Sequence, residues 1–392
     1  MTDRIYFDNS ATTPIDARVA KAMQPFLAGV FGNPSSLHWA GREARVAIDQ
    51  ARQQVADLFN AQPNEIIFTA SGTESDNMAL IGVIEALGRQ VNHIITSSIE
   101  HPAILETCRY LEEHGVDVTY LPVDGEGLIS PAELKAALRP TTRLVSIMAA
   151  NNVVGTLQPI SELSRIAHEH GALFHTDAVQ AVGKIPLNVR TQPIDLLSLS
   201  AHKLHGPKGV GALYIRAGVR LNPLVHGGGQ ERGLRSATEN VAGIVGLGRA
   251  AEIARSEMSR EAAQLVQLRD RIIDTLTATL PNAYLIGHRY KRLPGHVSLG
   301  LAGQEGEAIK LLLALDEAGI AISSGSACSA QHGSEPSYIL QAMGFDAFRA
   351  RGSLRITLGR FNTEAEVDRF LEILPQVAAE LRPITTRMPV TA

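Results

Sequence analysis

Short apolar runs separated by helical stretches narrow the fold of this 392-residue chain more than any other feature. EIIFTA (65–70), HIITSS (93–98), VTYLPV (118–123), LVSIMAA (144–150), ALFHTD (172–177) and IDLLSLSA (194–201) read as buried strands. Helical patterns lie between most of them. In EARVAIDQARQQVADLF, for example, Ala44, Ile48, Ala51, Val55 and Leu58 recur at steps of three and four. This alternation implies an α/β fold with a mostly parallel sheet covered on both faces.

The pattern changes after Gly243. A helical stretch over 244–280, with a break near 256–259, carries Leu265, Leu268, Ile272 and Leu276 on one stripe. HVSLGL (296–301), a helix in GEAIKLLLALDEAG, the run IAIS, a helix from about Ser337 and the strand SLRITLG (353–359) follow. A last helix, TEAEVDRFLEILPQVAAEL, is interrupted by Pro375. A domain boundary is expected near residue 260, and the final MPVTA reads as a frayed tail.

Composition closes off several classes of function. Lys plus Arg number 36 against 40 Asp plus Glu, a net charge of -4, so neither nucleic acid nor an anionic membrane is expected as a direct partner. Two cysteines argue against a disulfide framework and for a reducing compartment. The leading MTDRIYFDNSATTP has no apolar stretch of the kind a secretory signal needs, and a cytoplasmic location is expected. No G-x-G-x-x-G or P-loop pattern appears, and neither cysteine has the neighbours of a closed metal site.

Ligands of open α/β sheets gather beyond the carboxyl ends of the strands. After EIIFTA comes SGTESDN, where Gly72 and Thr73 open a helix suited to a phosphate, although Ser71 or Thr73 could simply cap it. His101 follows HIITSS, just before a proline; such a histidine is otherwise a surface or core residue. Asp177 ends ALFHTD with Gln180 three residues on, and a protonated ring nitrogen would suit a carboxylate there as well as a helix-capping role would. His202 and Lys203 follow IDLLSLSA, ahead of Gly206, Gly209 and Gly211. A lysine so placed loses proton affinity and becomes a nucleophile fit for a Schiff base. A phosphate cradle, an acid for a ring nitrogen, an imidazole and a lysine together are the parts a pyridoxal phosphate enzyme needs.

YFDNSATTP, FGNPSSLHWAG, FTASGTESDN, EHPAI, NNVVGTLQPI, HTDAVQAVGKIPL, SLSAHKLHGPKGVGALY, RSATENVAGIVG, SSGSACS and SLRITLGRFNT resemble the signature blocks of the cysteine desulfurases. These belong to the class V aminotransferases among fold-type-I pyridoxal phosphate enzymes. The resemblance implies a large domain over 15–260 with a seven-stranded, mostly parallel sheet. It implies a smaller α+β domain of 1–14 and 261–392 that carries a thiol-bearing loop at about 323–336.

It also implies roles, residue by residue. Lys203 would hold pyridoxal 5′-phosphate covalently and shuttle a proton. Asp177 would pair with the pyridinium nitrogen, Gln180 would contact the phenolic oxygen, and His101 would stack on the ring and assist proton transfer. Thr73, Ser200 and His202 would bind the phosphate, with Gly72 lending backbone and Thr238 reaching the phosphate of a second subunit in a homodimer. Asn152 and Arg355 would hold the substrate carboxylate, and Asn33 would belong to a block lining the substrate pocket. Arg355 shares a strand face with Thr357, opposite Leu354, Ile356 and Leu358.

Cys328, in SSGSACSAQHGSEPS, would take sulfur from L-cysteine as a persulfide, leave L-alanine, and pass the sulfur to an acceptor protein for iron–sulfur cluster assembly or tRNA or cofactor thiolation. The small residues around it suit a swinging arm, and the seven residues between Cys328 and Pro336 match the long-loop, iron–sulfur or nitrogenase-type group. Cys108, within ILETCRYLEEH, reads as a packed or partly exposed helix thiol. Two departures stand out. Ala237 occupies a position where the family often has glycine, and RPITTRMPVTA lacks the extension that often docks a scaffold protein. A selenocysteine lyase or a class V transaminase is the alternative on the same fold; a transaminase would have no use for Cys328.

Overall fold

The computed structural model describes residues 4–88, 93–325 and 336–381. Its main sheet has seven strands, in spatial order Ile66–Thr69, Gly211–Ile215, Leu196–Ser200, Leu173–Asp177, Thr142–Ser146, His93–Ser97 and Asp117–Leu121. Each of the six apolar runs yields one strand. The seventh, Gly211–Ile215, pairs antiparallel with both its neighbours, and the remaining pairings are parallel.

Burial on two faces is visible residue by residue. Phe68, Val145, Leu197 and Tyr214 pack into one apolar cluster, while their chain neighbours Ile67, Leu144, Leu196 and Leu213 pack into another. That is the period-two alternation of a strand, with both faces covered by helices instead of one facing water. A further cluster joins Ile5 and Phe7 to Leu265, Leu299, Leu354, Ile356 and Phe370. Its frame is an antiparallel four-stranded sheet in the order Ser323–Ser324, Leu354–Thr357, His296–Leu301, Ala283–Leu285.

Two expectations need correction. The helix Val241–Thr279 runs 39 residues without a break at 256–259. Serine weakens a helix by well under about 1 kcal/mol, and the Ser256 hydroxyl is satisfied inside the helix by donating to the Ile253 carbonyl at 2.9 Å. Packing also bridges the weak point. Ile244, Leu247 and Ala251 are buried in the first cluster, Leu265, Leu268 and Ile272 in the one built on Ile5 and Phe7. Nor does Pro375 interrupt the last helix, Glu364–Glu380. Phe370, Leu374 and Val377 are buried on both sides of it, so apolar packing offsets the missing hydrogen bond. Among the described residues, no helix is long and apolar enough to cross a membrane. The MPVTA tail lies outside the described residues.

The edge strand Ile66–Thr69 leads directly into the helix that begins at Gly72, and its outer side is closed by a buried ion pair. Arg52 donates to both carboxylate oxygens of Glu231, at 2.7 and 2.6 Å, and to the Ile66 carbonyl at 2.8 Å. Glu231 in turn accepts the Phe68 N–H at 2.9 Å. The edge's backbone groups are thus used within the chain and offer no template for another strand. Arg52→Ala would strand the Glu231 carboxylate in the interior. The expected loss is about 3–5 kcal/mol of stability, measured as a lowered urea midpoint at unchanged slope.

Candidate active site

Five strands of the main sheet, Ile66–Thr69, Leu196–Ser200, Leu173–Asp177, Thr142–Ser146 and His93–Ser97, run in one direction and end on one edge. Just past those ends lies a cavity of about 440 Å³. Ten residues singled out in the sequence line it: Gly72, Thr73, His101, Asn152, Asp177, Gln180, Ser200, His202, Lys203 and Arg355.

Gly72 opens the helix Gly72–Leu87, which Ser71 caps by accepting the Glu74 N–H. Capping and anion binding coexist, because the first amides of a helix have no partner within it. Gly72 is needed sterically: a Cβ there would come 2.6 Å from Val179 Cγ2 and 3.5 Å from Ser200 Cβ. The chain therefore passes close to Ser200 at the floor of the cavity.

His101 is itself a helix cap. Its Nδ1 accepts the Ala103 N–H at 3.1 Å, so the neutral ring carries its proton on Nε2. Burial pulls its pKa below the ordinary value, partly countered by Asp177. Asp177 is 6% exposed, and its Oδ1 accepts the Val179 N–H at 2.9 Å. Burial pushes its carboxyl upward, with His101 acting the other way. A cationic ring nitrogen beside it would reverse that push. Burial also pulls His202 down to about 4, so it is a neutral donor near neutral pH.

Lys203 sits in the short turn Ala201–Lys203. Its Nζ donates to the carbonyls of Ser10 and Ala11, the latter at 2.8 Å. The N-terminal segment is therefore folded over the lysine. The Thr13 hydroxyl fastens it there by donating to the His202 carbonyl at 2.9 Å.

Arg355 is 2% exposed on the strand Leu354–Thr357. Leu354, Ile356 and Leu358 pack inward, as the alternation requires. Its Nη2 donates to Asp8 Oδ1 at 2.9 Å and its Nη1 to the Asn152 carbonyl at 3.3 Å, while Nε has no hydrogen-bond partner among the described residues. A buried guanidinium at the cavity wall with an unused N–H suits a carboxylate ligand. The donor set fits pyridoxal phosphate: helix amides and hydroxyls at one end, a buried carboxylate in the middle, a lysine beside it and an arginine beyond.

Two of the sequence-derived residues lie elsewhere. Asn33 is exposed, its Oδ1 taken by the Ser35 N–H, and Thr238 is exposed beside a separate depression that includes Phe68, Arg235 and Asn240. Neither lines the cavity of its own chain. Cys328 lies outside the described residues. The feet of its loop are described: Gly325 N–H donates to Ser353 Oγ at 3.1 Å, Ser337 N–H to the Ala350 carbonyl at 2.8 Å, and Ser337 Oγ to the Gly325 carbonyl at 3.5 Å. Ser323, just before, lines the cavity. Asp8, Ser10 and Asp76 also line it and had no assigned role. YFDNSATTP pointed to the first two only as a block, and nothing local in SDNMAL marks Asp76 as turned inward.

Ala237 has φ +140°, a region that favours glycine. The glycine-to-alanine departure is therefore a strained one, next to Thr238. Ala237→Gly is expected to raise stability by about 1 kcal/mol, the relieved strain exceeding the added freedom of the unfolded chain. A urea titration of both proteins checks it.

Residues 5–370 match the family described as Aminotransferase class-V. The chain is 50% identical over 385 residues to the cysteine desulfurase IscS of Dictyoglomus turgidum, covering 98% of this chain and 97% of that protein. Among solved structures it is similar to a NifS-like protein, with TM-score 0.90, 43% identity and coverage of 96% of this chain and 100% of that one. It is also similar to SspA in complex with cysteine, with TM-score 0.78, 38% identity and coverage of 92% and 100%. The chain belongs to the class V aminotransferase family, in its cysteine desulfurase branch.

Proposed function

We propose that this protein is a cysteine desulfurase that uses pyridoxal 5′-phosphate to convert L-cysteine to L-alanine, with the sulfur passing through Cys328. The supporting observation is the single cavity at the strand ends in which ten residues of the expected set meet. The cysteine desulfurase relatives and the cysteine complex of SspA favour this reading over a transaminase or a selenocysteine lyase.

Gly72, Thr73, Ser200 and His202 would hold the cofactor phosphate, and Lys203 would anchor the cofactor. Asp177 would keep the ring nitrogen protonated. When bound, the cofactor supplies an electron-poor ring that stabilises the negative charge left at the substrate Cα. His101 would lie against the ring with its Nε2 proton available, and Lys203 would be the base that takes the Cα proton and gives one back. Arg355, with Asn152, binds the substrate carboxylate; Asp8 already shares that guanidinium and fixes its plane. The Cys328 thiolate attacks the substrate sulfur: the new S–S bond forms as the substrate C–S bond breaks, and the alanine carbon is reprotonated. Cysteine and the Cys328 thiol become alanine and the Cys328 persulfide, with no outside oxidant. Gly325 is three residues from Cys328, a span of at most about 11 Å of chain, and Ser323 lines the cavity.

A homodimer completes the site through Thr238 and the segment around Asn33 of a second copy. Leu27, Phe31, Leu37 and Trp39, exposed by 68%, 76%, 90% and 66% within thirteen residues, support a covered face there. A boundary near residue 260 between a large domain (15–260) and a small one (1–14 and 261–392) fits the point where the long helix passes from one apolar cluster to another. The sulfur acceptor is a protein of iron–sulfur cluster assembly or of tRNA or cofactor thiolation, and the enzyme works in the cytoplasm.

Cys328→Ala is expected to stay yellow and bind cysteine while releasing no sulfide under reductant; sulfide release at the wild-type rate would overturn the sulfur route. Lys203→Ala should lose the cofactor's visible absorbance, read directly in the purified protein.

A further inference from the structure

Lys184 has no part in the roles above. It follows Gln180 by four residues, and its Nζ donates to Gln180 Oε1 at 3.0 Å. Gln180 Nε2 donates in turn to the Ser10 carbonyl at 2.9 Å. The two ends of a glutamine amide are nearly alike in shape, so contacts must decide which way it faces. An ammonium has only donors and a backbone carbonyl only accepts. Neither contact survives half a turn of the amide, so both neighbours enforce the same orientation.

Behind the main site lies a second, small cavity of about 40 Å³, lined by Lys184 and Lys203 together. The titratable and charged groups facing Lys184 there are Lys203, His205, Glu261, His296 and Arg360. Each of the last four is engaged elsewhere. Arg360 Nε holds Glu261 at 2.6 Å, His205 Nδ1 meets the Pro14 carbonyl at 3.0 Å, and His296 Nε2 meets the Val153 carbonyl at 2.8 Å. Burial holds both histidines neutral, His205 at about 4 and His296 well below its ordinary value. The Gln180 amide oxygen is thus the acceptor at hand for Lys184. Burial, with the charge of Lys203 adding to it, brings the Lys184 ammonium down to about 7.

We propose that Lys184 is a positioning residue: together with the Ser10 carbonyl it fixes the Gln180 amide so that the NH₂ end, and not the carbonyl end, faces the phenolic oxygen of the cofactor. The inference rests on the roles of Gln180 and Lys203 given above. One Nε2 hydrogen goes to Ser10 and the other faces the ring. A donor at that oxygen favours its deprotonated form. It therefore lowers the pH at which the lysine-linked cofactor loses its long-wavelength absorbance. A flipped amide would offer lone pairs instead and act in the opposite sense.

The test is a pH titration of the visible absorbance of holoenzyme loaded with pyridoxal 5′-phosphate. Lys184→Met is expected to raise the midpoint by about one unit, and Lys184→Arg, which still offers only donors, to restore it. In a Gln180→Leu background, Lys184→Met should add nothing further. Should Lys184→Met fail to fold, Lys184→Gln carries the same expectation, because an amide has both donor and acceptor and dictates no orientation. An unmoved midpoint in the uncharged variant, or an equal shift without Gln180, overturns the proposal. A wild-type chain that takes up no cofactor, or Lys203→Ala that keeps the absorbance, overturns the parent reading and this one with it. Normal uptake with an unmoved midpoint overturns this one alone.

Discussion

A carboxyl group held almost out of water at the end of a central strand sets the electrostatics of this cavity. Asp177 does not stand alone there. Burial pushes Glu100 up to about 8 and Asp76 well above the carboxylate range, and in both cases the charge of Asp177 adds to the push. Three carboxyls so close and so dry cannot all ionise cheaply. Burial pushes Asp177 itself the same way, with the charges of His101 and Lys203 acting against it, so a further cation placed beside it would favour its anion. Pyridoxal phosphate with a protonated ring nitrogen is a ligand that would supply such a charge.

The sheet delivers the rest. Because six of the seven strands point the same way, the residues that follow them converge although they are scattered over the chain from Gly72 to Lys203. The one reversed strand, Gly211–Ile215, adds pairing without adding a site residue. Arg355 arrives from the other sheet and meets Asp8 from the N-terminal segment, so that end of the cavity is assembled from the two extremes of the sequence. The cavity thus runs from hydroxyl and helix-amide groups on the main sheet to a buried guanidinium on the small one.

Much of this was legible beforehand, for physical reasons. A strand buried on both faces has to be apolar throughout, so Asp177 and Lys203 stood out as breaks in such runs. The strand Gly211–Ile215 is not legible in the sequence, because GALYI is short and glycine-led. The supposed helix breaks at 256–259 and Pro375 followed local propensity, which packing overrode. Asp8, Asp76 and the Lys184–Gln180 contact depend on where distant segments meet, and no local pattern encodes that. Ala237 shows the reverse: an ordinary-looking residue whose backbone angle makes it exceptional.

The joined feet of the Cys328 loop have an evolutionary side. Gly325, Ser337, Ser353 and Ala350 tie the two ends together before the chain leaves the small sheet. A segment closed at its base imposes none of its own length on the fold beneath it. Lengthening it is cheap as well, at roughly 0.6 kcal/mol for each doubling. Insertions and deletions between the two feet can therefore change the length of that segment while the sheet, the cavity and its buried charges stay as they are. Sequence between the feet can diversify in this architecture without any change to the fold that carries it.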